Sequence, residues 1–153
     1  MRMTIAALLT LFATTLSAHD YEVGELKVMH PVARETAKLA QAGAGYLSIE
    51  NTGDTADSLI AIEADFPRVM LHDTVMDGDV AKMEHLMSVP IAPGETVTFA
   101  PGGKHVMFMG LNGDPLEVGE EIPAVLIFEN AGRLEVVFQV EPVEDDGHDH
   151  SGL

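Results

Sequence analysis

Four side chains in this sequence have types and spacings that suit one soft-metal site. They are His72, then after ten residues Met83, then after twenty-one more His105 and, one residue on, Met107. Two imidazole nitrogens and two thioether sulfurs make a soft donor set suited to Cu(I). Met70, Met76, Met83, Met87, Met107 and Met109 all fall between positions 70 and 109. Core packing would also produce such a cluster, because the flexible thioether fills irregular gaps.

The gap between His72 and Met83 has a local explanation. Met76-Asp77-Gly78-Asp79 places Asp-Gly between two apolar-alternating runs, the pair preferred at the centre of a two-residue type I′ hairpin turn. With Asp77 and Gly78 as the turn, Met76 faces Asp79, Val75 faces Val80 and His72 faces Met83. Opposed residues on one face of an antiparallel pair have Cβ atoms about 4.5 to 5.5 Å apart, so both could reach one ion. His105 and Met107, two apart on a strand, share a face as well. The same register pairs Met70 with His85 one step along, and Met109 extends the other strand, so spacing leaves a neighbouring site open.

The elements that must hold these residues are strands. Runs rich in Val, Ile, Leu and Thr recur between Gly, Pro, Asn and Asp punctuation, which is the pattern of short strands joined by turns. The expected strands are 25–33, 46–50, 58–63, 68–76, 80–87, 95–100, 104–111, 122–129 and 133–140. The last two are joined by Asn130-Ala131-Gly132 at hairpin length. Residues 115–121 read as a connection without regular structure. Turn signals roughly every ten residues, with no helical period, point to an all-β fold, an antiparallel β-sandwich or barrel.

Length and composition bound the rest. A chain of 153 residues with no Trp has room for one domain with a modest core. Arg2, the apolar run from Ile5 to Leu16 and the small-residue end Leu16-Ser17-Ala18 read as a secretory signal peptide over residues 1–18, cut after Ala18. The apolar run is shorter than the roughly 20 residues of a spanning helix. The expectation is therefore a soluble mature domain, residues 19–143, outside the cytoplasm, in the periplasm. Residues 144–153 are too polar to bury and read as a disordered acidic tail. Its His148 and His150 could hold Cu(II) loosely, and His19 would offer an α-amine and an imidazole at the mature N-terminus.

There are no cysteines, so thiolates are unavailable and His, Met and carboxylates are the only ligand types. Removing Arg2 leaves seven Lys and Arg against 25 Asp and Glu, which moves the net charge from −17 to −18. That charge disfavours nucleic acid and anionic membrane as partners.

The residues also resemble a known family. His72-x10-Met83-x21-His105-x-Met107 is similar, in spacing and residue type, to the signature of the periplasmic copper chaperones called the PCuAC family. The text around it matches too: Leu71-His72-Asp73, Pro93-Gly94 ahead of a Thr-rich strand, and the run from Pro101-Gly102-Gly103-Lys104 through Phe108-Met109-Gly110-Leu111. The resemblance extends from about Leu26 to about Val140. It implies a cupredoxin-like antiparallel Greek-key β-sandwich; a single domain is expected from the length, and a monomer is expected, though the sequence does not fix the oligomeric state. It also implies one Cu(I) held by His72, Met83, His105 and Met107 and delivered to the CuA centre of cytochrome oxidase. Met70, His85, Met87 and Met109 would then serve as core filling or support.

Competing chemistries fit less well. A blue-copper carrier needs a Cys thiolate, and a zinc hydrolase wants His and carboxylate ligands with an open water position. No nucleophile elbow or phosphate loop is present, and the chain is expected not to be an enzyme. Copper sequestration or resistance is the alternative within copper handling, with storage replacing delivery to an oxidase subunit or another chaperone. A metal-free adhesion domain would bind no Cu(I) and would be indifferent to Met83→Leu or His105→Ala.

Overall fold

The computed structural model describes residues 20–144. The expected leader, His19 and the tail imidazoles His148 and His150 lie outside the described residues. Within them the regular structure is all strand: β1 (Tyr21–Val23), β2 (Leu26–Arg34), β3 (Ala42–Asn51), β4 (Asp57–Ala64), β5 (Arg68–Asp77), β6 (Val80–Leu86), β7 (Val89–Ile91), β8 (Thr96–Thr98), β9 (His105–Met109), β10 (Glu121–Phe128) and β11 (Gly132–Glu141). Residues 115–120 connect β9 to β10 without a strand, as expected.

The alternation that marks these strands in the sequence is realised as burial. In β2, Leu26, Val28 and Ala33 point inward, and in β3 Leu47 and Ile49 do so. Leu126 and Phe128 of β10 and Val136, Phe138 and Val140 of β11 complete much of the core. Residues i and i+2 of a strand share a face, so each of these four strands contributes one buried row.

The hydrogen-bonded path runs β6-β5-β9-β3-β2-β11-β10-β4-β7, with β1 added to β2 and β8 to β3. The sheet folds back on itself, so that β4 packs against β5. Phe108 of β9 meets Phe138 of β11 edge-on, with centroids 5.4 Å apart, and Phe66 at 5.0 Å. This is the cupredoxin-like sandwich the resemblance implies. Its pairs are antiparallel except for β2 with β11, which run parallel and make the sheet mixed. β2 also carries a bulge between Met29 and Val32, where His30 sits at φ 50°.

The expected hairpin forms, with a slipped turn. Asp77 pairs with Val80, Thr74 with Met83 and His72 with His85, so the turn is Gly78-Asp79 and not Asp77-Gly78. Gly78 has φ +64° while Asp79 stays at negative φ, the pattern of a type II′ turn with Gly at its first central position. Both turns are two residues long, so the slip moves every cross-strand partner by two positions and leaves each side chain on its expected face. His72 therefore does not face Met83, and Met70 does not face His85. Lys82 pairs with Asp77 near the hairpin tip.

No helix of the described residues is long and apolar enough to cross a membrane.

Candidate metal centre

Strands β6, β5 and β9 lie side by side, and their registers set one face of that layer. His72 pairs with His85 on β6 and with His105 on β9, and Met70 pairs with Met107. Paired residues point to the same side. The inward side holds Leu71, Val106 and Phe108. The outward side therefore holds Met70, His72, Thr74 and Met76 of β5, Met83 and His85 of β6, and His105, Met107 and Met109 of β9. Three imidazoles stand in a row across three strands, with thioethers on both sides of the row.

His72 is at the centre. Its ring lies 5.6 Å from that of His105 and 5.9 Å from that of His85, centroid to centroid, both edge-on. Met83, opposite Thr74, and Met107, opposite Met70, are its diagonal neighbours. Diagonal positions lie about 7–8 Å apart, within reach of long side chains. The structure thus brings His72, His105 and Met107 onto adjacent strands and sets Met83 on the same face at the hairpin. Met83 is 65% exposed, and its three rotatable bonds let the sulfur swing over the row.

The ring nitrogens show what the face can do. His105, only 5% exposed, donates from Nδ1 to the Gly103 carbonyl at 3.0 Å. That carbonyl also accepts the Thr74 N–H, tying β5 to the loop before β9. The bond fixes the tautomer, so Nε2 carries a lone pair. Nε2 of His105 is buried without a hydrogen-bond partner, and so is Nδ1 of His72. Buried nitrogens are normally satisfied, and two orphaned ones on neighbouring rings fit a metal. A backbone carbonyl that accepts from one ring nitrogen and so aims the other is the usual companion of a metal-ligating imidazole.

Electrostatics act in the same direction. Burial, then the neighbouring His105 and His85, hold the His72 imidazole below its ordinary pKa of 6.5, which keeps it neutral and able to ligate. Lys104, in the loop before β9, and Asp73 of β5 are 3.4 Å apart and tie that loop to β5. Among the described residues no three His, Asp or Glu side chains are grouped closely enough to hold an ion by themselves. The soft donors beside the imidazoles on this face are the thioethers of Met70, Met83 and Met107.

Of the two roles expected for Met70, His85, Met87 and Met109, core filling does not hold. Met87 is 78% exposed and His85 is exposed too, while Met70 and Met109 are half-buried on the outward side. None of the four fills the core, because the core lies on the opposite side of these strands. The place of His85 directly across from His72 was hidden by the turn slip, and only the choice between the two turn types could have revealed it. Elsewhere, a cleft of about 710 Å³ lined by Tyr21, Pro123, Val125 and Val137 carries neither His nor Met.

The chain as a whole is similar to known proteins. Residues 26–140 match the family model described as "Putative lipoprotein LpqE-like". The chain is 31% identical over 156 residues to the "Putative lipoprotein Lxx21020" of Leifsonia xyli subsp. xyli (strain CTCB07), covering 97% of this chain and 93% of that protein. Among solved structures, it is similar to the apo PCuAC domain from PmoF1, with 31% identity, a TM-score of 0.69, and 82% of this chain and all of that one covered. The copper-bound PCuAC domain from PmoF2 is 29% identical with the same TM-score, over 82% and 99% of the two chains. The Cu(I) form of DR1885 from Deinococcus radiodurans is 25% identical with a TM-score of 0.61, over 84% and 85%.

Proposed function

This chain belongs to the LpqE-like family and has the fold of PCuAC domains, and from that premise we propose that it is an exported copper chaperone. It binds one Cu(I) through His72, Met83, His105 and Met107 and delivers the ion to the CuA centre of cytochrome oxidase. The observation that carries this reading is the pair of orphaned ring nitrogens, His72 Nδ1 and His105 Nε2, with the second aimed by the Gly103 carbonyl. Support comes from the structural relatives, one of which is copper-bound and another Cu(I)-bound.

The donor set explains the choice of ion. Thioether sulfur carries no proton to lose and favours Cu(I) over Cu(II), and neutral imidazole adds basicity without adding charge. Both nitrogens are fixed on rigid strands, whereas Met83 stands on the exposed hairpin. The buried His105 and half-buried His72 hold the ion from one side, and the exposed, flexible Met83 side chain closes over it from the other, an arrangement suited to release as much as to binding.

The working location is the periplasm, reached by cleavage of the leader after Ala18, with the domain spanning residues 19–143. The tail, through His148 and His150, offers a separate and looser Cu(II) position. Transfer decides between delivery and storage. The Cu(I)-loaded protein is mixed anaerobically with a purified apo CuA domain, and the reading predicts that copper moves to the oxidase domain. Retention of the copper by this protein would favour sequestration.

A further inference from the structure

One group of soft side chains on the outward face is not used by the four-ligand site. Met70, His85 and Met87 line a single small cleft of about 120 Å³, together with Ile60, Ala61 and Ile62 of β4. The cleft lies where the chain leaves β6 and crosses to β7 in the other layer. We infer that Met70, His85 and Met87 form a second Cu(I) position, weaker than the first, through which the ion enters and leaves the principal site. The inference rests on the copper reading above.

Two thioethers and one imidazole are a three-coordinate soft set of the kind Cu(I) accepts. A structural role explains these residues poorly. Met87 and His85 are exposed, so neither stabilises the core. The apolar wall supplied by Ile60, Ala61 and Ile62 leaves the sulfurs and the imidazole as the soft donors in the cleft.

Adjacency makes the position a route and not a separate store. His85 is the cross-strand partner of His72, with rings 5.9 Å apart. Met70 is the cross-strand partner of Met107. Each of these two therefore touches a level of the sheet already occupied by a principal ligand. Exchange of one imidazole and one thioether at a time moves the ion between positions, with no change in oxidation state. The outer position has one ligand fewer and two exposed ligands, so it holds copper less tightly and is open to an acceptor.

The test is an anaerobic Cu(I) titration of the full chain carrying His148→Ala and His150→Ala, against a chromophoric Cu(I) chelator, with the methionine ε-methyl groups labelled for NMR. Two equivalents are expected, the second at least tenfold weaker. The first should shift the methyls of Met83 and Met107, and the second those of Met70 and Met87. Adding His85→Ala or Met87→Leu, both at exposed positions, should remove the second equivalent and leave the first within threefold. Saturation at one equivalent with the Met70 and Met87 methyls unmoved would overturn the inference, as would a second equivalent that survives both substitutions, while the principal site would stand. Absence of any Cu(I) binding would overturn the copper reading itself and this inference with it.

Discussion

His72 is half-buried between two other imidazoles, and burial is the first cause of its lowered pKa, ahead of repulsion from His105 and His85. A proton and a metal compete for the same lone pair. Because the folded-state pKa lies below the ordinary value, that proton begins to compete only in acid. Cu(I) affinity is expected to stay level from neutral pH down to about the ordinary imidazole pKa of 6.5 and to fall below it. In the apo protein the sign is the same: the unfolded chain binds the proton more readily between the lowered and the ordinary value, so stability falls as pH drops through that window. Chelator competition at a series of pH values measures the first effect. A decline that begins well above the ordinary imidazole pKa would show that His72 is not held neutral.

At the scale of elements, the layer β6-β5-β9 is kept in place from behind. Gly45 of β3 pairs with Val106 of β9, and a Cβ there would lie 2.8 Å from Phe108 Cε2 and 3.3 Å from Phe138 Cε1. The two rings need the space a side chain would take. Gly45→Ala is expected to cost about 1–3 kcal/mol, the usual penalty of overpacking, read as a lower urea midpoint with an unchanged m-value. No loss would mean that β9 shifts without strain.

The same elements show what the sequence could tell. Strands with a buried row, such as β2 and β11, were legible from alternation, and parity put His72 with Met83 on one face and His105 with Met107 on one face, but that the two pairs share a face follows only from the pairing of β5 with β9. The register was not legible, because Asp77-Gly78 and Gly78-Asp79 are both good two-residue turns and local chemistry barely separates them. The three-residue strands β1 and β7 are too short to show a period. The parallel pairing of β2 with β11 joins segments about a hundred residues apart, which no local pattern reports.

Over the whole molecule, the sandwich separates packing from chemistry. Phe108, Phe138 and Leu126 fill one side of the sheet, while the Met and His cluster occupies the other side of β5, β6 and β9. The central claim is that this outward face holds Cu(I) through nitrogen and sulfur together. Cu K-edge absorption spectroscopy on the protein loaded with one equivalent of Cu(I) tests it most directly. The account predicts a first shell of mixed nitrogen and sulfur scatterers, and a shell of nitrogen or oxygen alone would contradict it.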